Sequence, residues 1–377
     1  MANNSNNKIG GIPAALLAII IGIGLLWFNE GNNVKNIKAI AEARKNVIQV
    51  SSQTIDAANE GNLIATSGKL NVLSDELQDD IFGVTQKTAK LVRLVEMYQW
   101  EENEDTDSDG NTTYSYSKIW SKNIIDSNDF HSSGHVNPQV MPYESRELLA
   151  TGVDVGAFSL TLDQIERLDT PEVYSNLSSE IAENFKLKIE QNYFTTAANL
   201  ATPEIGDIRI SFKYNNDSEV SLLGKQYENK IVDYIAQSGK TFNVIVSGIK
   251  TGEAMINDIE ASNNMLKWVL RAIGILLIIM GIAGVLSPIS RLTSRIPILG
   301  NVVGAAVGGI SFLLGLAIGL LVIAIAWIRF RPILGIGLIV VVVLLIVGVF
   351  KLRKDKTPKE SAPNVSNEGG NLNDQSF

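Results

Sequence analysis

Four stretches of the chain run apolar for longer than an ordinary soluble core helix does. Residues 12–28 carry no charge and stop at Asn29-Glu30, and residues 268–286 carry one charge, Arg271, near their start. Residues 302–328 and 333–350 carry none, and the last stretch stops at Lys351-Leu352-Arg353-Lys354. A membrane-crossing segment must satisfy its own backbone polar groups, which takes a helix of about 20 apolar residues. The pattern predicts four spans. The first is expected to be a retained signal-anchor, because Trp27-Phe28-Asn29-Glu30 offers no small-residue cleavage pattern.

Between the first two spans the period changes. Residues 34–58 place Val34, Ile37, Ile40, Ala41, Val47, Ile48, Ile55 and Ala58 at helical spacing, which predicts an amphipathic helix ending near Asn59-Glu60-Gly61-Asn62. Residues 63–70 and 91–100 read as strands, and residues 114–120, alternating Tyr, Ile or Trp with polar residues, read as the hairpin partner of 91–100. Further elements are a helix over 178–190, strands over 207–214 and 241–249, and a helix from 252 to 264 running toward the second span. The fold class is therefore an α+β domain with much antiparallel sheet, joined to an α-helical bundle of four spans. The expected organisation is a tail over 1–11, a span over 12–28, an α+β domain over 29–267, three spans over 268–350 and a polar tail over 351–377.

Charge sharpens this picture. Residues 29–267 hold 36 Asp and Glu against 21 Lys and Arg, a net −15, while the whole chain carries −8. An acidic domain repels nucleic acid and anionic headgroups, so no nucleic-acid partner is expected. With no cysteine in the chain, disulfides, thiolate metal sites and cysteine nucleophiles are excluded. Lys351, Arg353, Lys354, Lys356 and Lys359 make the C-terminal tail basic, whereas the N-terminal tail has only Lys8. By the positive-inside rule both termini are expected in the cytoplasm and the acidic domain outside it.

Candidate chemistry is sparse. Asp105-Thr106-Asp107-Ser108-Asp109-Gly110 matches the first half of a calcium loop, but its twelfth position is Tyr116 rather than Glu and both flanks read as strands. A solvated hairpin turn is the expectation there. His131 and His135 are separated by Ser132-Ser133-Gly134 and followed by Pro138, which breaks the helix that metal ligation at this spacing requires. No nucleophile elbow, phosphate loop or dinucleotide fingerprint occurs, so neither catalysis nor a metal or cofactor is expected. In the third span Gly300, Gly304, Gly308, Ser311, Gly315 and Gly319 form one small-residue stripe, the kind of surface that lets helix backbones approach closely, within the chain or between copies. Span interiors hold no ionisable group, and Arg271, near a span end, is expected to snorkel to the interface.

Three blocks resemble the LUMA family of four-span membrane proteins. They are Val95-Glu96-Met97-Tyr98-Gln99-Trp100 with Tyr114 to Trp120; Gly134-His135-Val136-Asn137-Pro138; and the span edges Trp268, Arg271 and Gly274 with Trp327-Ile328-Arg329-Phe330-Arg331-Pro332. The resemblance implies a membrane organiser of the endoplasmic reticulum and inner nuclear membrane that associates with itself, with emerin and with lamins and is implicated in junctional conductance. The absence of cysteine and the Asn-rich tails suggest a bacterial member, for which the plasma membrane is the expected home and nuclear partners do not apply. The functional expectation is a homo-oligomeric scaffold in the lipid bilayer, with other membrane proteins as partners. The alternatives are a pore or conductance-modifying protein and a membrane-bound hydrolase.

Overall fold

The alternation over residues 91–100 becomes one long strand, Lys90–Thr106, in the computed structural model, which describes residues 11–106, 112–215, 219–293, 297–328, 336–337 and 340–347. Leu91, Val95 and Met97 point to one side and are buried. Antiparallel to this strand lie Ile208–Tyr214 on one edge and Thr112–Ser121 on the other, the latter in unbroken register from Met97↔Ser121 to Thr106↔Thr112. Tyr193–Thr195 and Lys188–Glu190 continue the sheet beyond Ile208–Tyr214. Its inner face packs on an aromatic cluster in which Phe82 lies 5.2–6.0 Å from the rings of Tyr143, Phe185, Phe194 and Phe212. Burying each such side chain is worth about 1.5–3 kcal/mol.

A second sheet closes on itself. Leu63–Val72 pairs with Val153–Val155, which turns into Phe158–Ser159; this lies beside Lys230–Val232, which pairs with Glu219–Tyr227, and that strand returns to Leu63–Val72. Ile64, Leu70, Val153, Val155, Phe158, Val220, Leu222 and Ile231 form its core with Ile165 and Leu168. Ile165 sits in the short helix α2 (Leu162–Glu166), while a second short helix, α3 (Ser179–Asn184), serves the first sheet through Ala182.

Among the described residues the long helices are α1 (Gly11–Asn46), α4 (Gly252–Thr293) and α5 (Pro297–Ile328). The chain divides into two units, residues 35–261 and residues 1–34 with 262–377. In the first unit Ala39, Ile40 and Ala43 of α1 and Met255 and Ile256 of α4 pack with Leu63, Ala65 and Leu223 of the closed sheet. In the second unit α1 and α5 both run antiparallel to α4, with Leu26, Ile278 and Ile323 at the centre of the packing.

Several expectations are corrected. Among the described residues three helices, not four, are long and apolar enough to cross a membrane: Gly11–Asn46, Gly252–Pro288 and Ala306–Ile328. Of residues 333–350 only 336–337 and 340–347 are described, in helical pieces shorter than a span needs; the rest of that stretch lies outside the described residues. The amphipathic helix ends at Asn46 rather than near residue 59, because Ile48 and Gln49 pair in parallel with Ile64 and Ala65 of the closed sheet. The helix placed over 178–190 stops at Asn184; Lys186 turns left-handed, with φ 55°, and Lys188–Glu190 pairs as a strand.

Candidate functional site

At the end of the apolar part of α1, Asn29 and Glu30 follow Trp27-Phe28; Arg271 lies in α4 and Trp327 one residue before the end of α5. The antiparallel packing brings these three helix positions together. Arg271 donates two hydrogen bonds to the Glu30 carboxylate, Nε to Oε1 at 2.6 Å and an Nη to Oε2 at 2.9 Å. The Trp327 indole N–H also donates to Glu30 Oε2. The guanidinium lies 4.7 Å from the Trp268 ring and 5.1 Å from the Trp327 ring, so its faces are covered by aromatic surface. Asn29 donates to the Lys267 carbonyl at 3.1 Å. Glu30 is fully buried and the Arg271 side chain 7 % exposed, so Arg271 does not snorkel: its charge is neutralised in place. The forked geometry and the third donor meet the conditions under which a buried pair repays its desolvation.

The small residues divide along α5. A Cβ on Gly315 would come within 2.8 Å of the Ile279 Cα, and one on Gly319 within 2.8 Å of the Ile275 side chain, so both glycines are spent on contact with α4. Ser311 is buried and donates to the Val307 carbonyl. Gly308 and its neighbour Gly309 meet nothing within 4 Å. Gly300 and Gly304 belong to the same helix, on the stretch before its described side chains begin. On α4, Gly274 and Gly281 meet Leu26 and Ile19 of α1.

In the unit of residues 35–261 the motif residues gather on one face of the hairpin formed by Lys90–Thr106 and Thr112–Ser121. Glu96 accepts from Arg209 Nε at 2.7 Å, and Arg209 covers the Trp120 ring at 4.6 Å. Tyr98 packs on Trp120 and Lys118 on Trp100, while Met97 points the other way into the core. Asn137 is buried and acts as a substitute strand. Its side chain accepts from the Trp100 N–H at 2.7 Å and donates to the carbonyls of Trp100, at 2.8 Å, and Ile125, at 3.1 Å. That fixes the turn holding Gly134, His135 and Pro138, and a Cβ on Gly206 would stand 3.2 Å from the Pro138 ring, tighter than ordinary contact. His135 stacks on Tyr116 at 3.8 Å, and His131 stacks on Tyr114 at 4.1 Å. The Tyr116 hydroxyl donates to Glu102 at 2.5 Å and accepts from the Ser132 N–H. Partial burial, with the Glu102 carboxylate next, raises the Tyr116 pKa above its ordinary 10.0.

Chemically, these clusters hold structure. Among the described residues no group of three His, Asp or Glu side chains is placed to bind a metal, and each histidine lies on its own tyrosine. The strands flanking 105–110 do form a hairpin; residues 107–111 lie outside the described residues, as do Arg331 and Pro332. Near Arg146 and Asp80 a cleft of about 580 Å³ opens beside Arg93, Met141 and Tyr143. The Arg146 guanidinium, bonded to Asp80 at 2.5 Å, holds that carboxyl below its usual range.

Pattern reading missed Glu30, which it used only to mark where an apolar run stopped. The signal lay in a lone acid and a lone base at the ends of two consecutive spans, the ends that an antiparallel pair brings together. It also missed Arg93, which lies on the inward side of its strand between Leu91 and Val95 and pairs with buried Asp79 at 2.6 Å.

Long apolar helices bonded through a buried ion pair, together with a unit built on antiparallel sheet, define an α-helical membrane protein with a large sheet-based domain. The sequence model of one family, transmembrane protein 43, matches residues 97–332. The chain is 30% identical to human transmembrane protein 43 over 344 residues, 86% of this chain and 85% of the relative. It is 29% identical to the mouse protein with the same coverage, and 29% identical to the Drosophila melanogaster homologue over 89% of this chain and 93% of the relative. The chain belongs to the transmembrane protein 43 family. This corrects the resemblance to a LUMA family: the matching model and the curated relatives carry the transmembrane protein 43 name. No solved structure matches the chain.

Proposed function

We propose that the chain is a multi-pass membrane scaffold that assembles with copies of itself through its glycine-bearing spans and presents the acidic unit outside the cytoplasm. The observation that carries this reading is the division of the α5 stripe. The helix uses Gly315 and Gly319 for backbone-close packing inside the chain, yet leaves the equally small Gly308 and Gly309 facing nothing within 4 Å. In lipid such a face gains from a second helix through close packing rather than from a hydrophobic push. The Glu30–Arg271 pair supports a fixed bundle over a moving one, since its charges are bonded to each other and covered by two indoles. The basic tail after residue 350 lies in this reading on the same side of the membrane as the N-terminus.

The test compares Gly308→Leu with Gly315→Leu in the full chain, solubilised in an uncharged detergent. Gly315→Leu is expected to lower the melting temperature, because the larger side chain must displace Ile279. Gly308→Leu is expected to leave melting unchanged and shrink the particle measured by light scattering. A particle of wild-type size with Gly308→Leu removes self-association through this face.

A further inference from the structure

We propose that the outer edge of the strand Thr112–Ser121 is a docking rail for an extended Lys- or Arg-bearing segment of a partner protein, which joins the sheet as one more strand. This deepens the scaffold reading by naming a class of partner.

Backbone groups on the neighbouring strand fix which way those of Thr112–Ser121 point. The Trp100 N–H and carbonyl are both taken by Asn137, the Tyr98 N–H donates to the Asp207 carbonyl, and the Tyr98 carbonyl accepts from Gly206. At Tyr98 and Trp100 both groups therefore point away from the neighbouring strand. In an antiparallel ladder directly opposite residues share this status. Trp120 and Lys118, opposite Tyr98 and Trp100, must turn their N–H and C=O groups outward, and the period of two extends this to Tyr116, Tyr114 and Thr112. The strand is the last in its sheet, and among the described residues no loop or side chain bonds to the backbone of these five.

Edges of this length are normally blunted with proline, bulges or several lysines. Thr112–Ser121 has no proline, pairs in unbroken register and carries a single lysine. It is a template left open.

The side chains select the occupant. On one face Thr113, Ser115 and Ser117 stand opposite Asp105, Asn103 and Glu101, and all but Glu101, which is half-buried, are exposed. The outer row is short and the row behind it holds carboxylates. An incoming strand lies about 10 Å, two strand spacings, from that acidic row. A lysine or arginine on the incoming strand, passing over the serines, meets a carboxylate reaching back from Glu101 or Asp105. Intervening positions of the incoming strand lie on the opposite face, beside Tyr114 and Tyr116. A second copy fits less well, because residues 29–267 carry a net −15 and self-pairing would set two acidic arms together.

The experiment uses the full chain in an uncharged detergent and a fluorescein-labelled nine-residue peptide alternating valine and lysine, read by fluorescence anisotropy. Two control peptides replace the central valine with proline, or every lysine with glutamate. The parent peptide is expected to bind, the proline peptide about tenfold more weakly or less, and the glutamate peptide not measurably. Lys118→Pro removes an outward N–H and no rung of the ladder to Lys90–Thr106. It also removes a positive charge, so pure charge attraction predicts tighter binding and strand addition predicts about tenfold weaker binding. The double variant Glu101→Gln/Asp105→Asn, altered only at side chains beside the rail, is expected to weaken binding about fivefold and flatten its salt dependence. Should Lys118→Pro fail to fold, this variant and the proline peptide decide. Equal binding of the parent and proline peptides, or unchanged affinity in a folded Lys118→Pro, overturns the proposal. A smaller particle in Lys118→Pro together with unchanged peptide binding overturns it in favour of a second copy. Span-mediated assembly is read separately, from the Gly308→Leu particle, so each reading can fail alone.

Discussion

Arg93 and Arg271 are residues that a hydropathy reading sends to the surface, and both are buried against a carboxylate. Arg93 lies between Leu91 and Val95 on the inward side of its strand, so the alternation already placed it in the core; what the alternation lacked was its partner. Asp79 supplies this from a separate turn, where it also accepts the N–H groups of Ile81 and Phe82. A local pattern tells which side a residue faces, but not which distant residue meets it there. Tyr116 poses the same problem: its alternation is visible, its bond to Glu102 follows from register, and its stack on His135 is not visible at all. Its raised pKa has a consequence with a definite sign. The folded chain keeps the phenolic proton at a pH where the unfolded chain has released it, so stability present below pH 10.0 is lost as pH rises through the folded value. Wild type and Tyr116→Phe are expected to converge in melting temperature as pH is raised above 10.0. A gap that stays constant through that window would show that Tyr116 titrates as it does in the unfolded chain.

Elements were legible where one period ran long enough. The strands over 90–106 and 208–214 and the three apolar helices follow from the sequence, because each buries a face its own pattern defines. Element ends were less legible, since they depend on partners far away. Residues 47–50 continue a helical spacing yet leave the helix, because Ile48 gains a parallel partner in Ile64. The stripe on α5 was visible as a stripe, but which glycines meet α4 depended on the rotation of one helix against another. The pairing of Glu30 with Arg271 joins α1 to α4 across that packing, and removing one member leaves the other charge buried alone. Glu30→Ala and Arg271→Ala are each expected to cost about 3–5 kcal/mol, read from denaturant unfolding in detergent. The exchanged pair, Glu30→Arg with Arg271→Glu, is expected to recover part of that loss, although Trp327 then loses its acceptor. If the exchange is no better than the sum of the two single reversals, the residues are not coupled and the bundle is held by packing alone.

For the whole molecule, the closed sheet could not be read in advance. Its ring is completed by Leu63–Val72 meeting Glu219–Tyr227, strands that lie far apart in the chain and carry no mutual signature. Charge distribution, by contrast, is fully present in the sequence and belongs to no single element. The −15 of residues 29–267 lies between apolar stretches, while the last of these is followed by a basic tail. Lysine and arginine beside a span are retained on the cytoplasmic side far more than acids are excluded from it, so the tail carries more topological weight than the acidic unit. This charge asymmetry predicts a particular labelling pattern. Since the chain has no cysteine, a single introduced thiol reports its own location. Ser133→Cys places one at an exposed position in the turn before His135, and Ser361→Cys places one in the tail. With a membrane-impermeant maleimide on sealed vesicles of known orientation, position 133 is expected to react from the extracytoplasmic side and position 361 only after permeabilisation. Reaction of both from the extracytoplasmic side would put an even number of spans between them, leaving the three described helices as the whole bundle. Protection of position 133 there would place the acidic unit and the open edge of Thr112–Ser121 in the cytoplasm, and the strand-adding partner would have to be sought there.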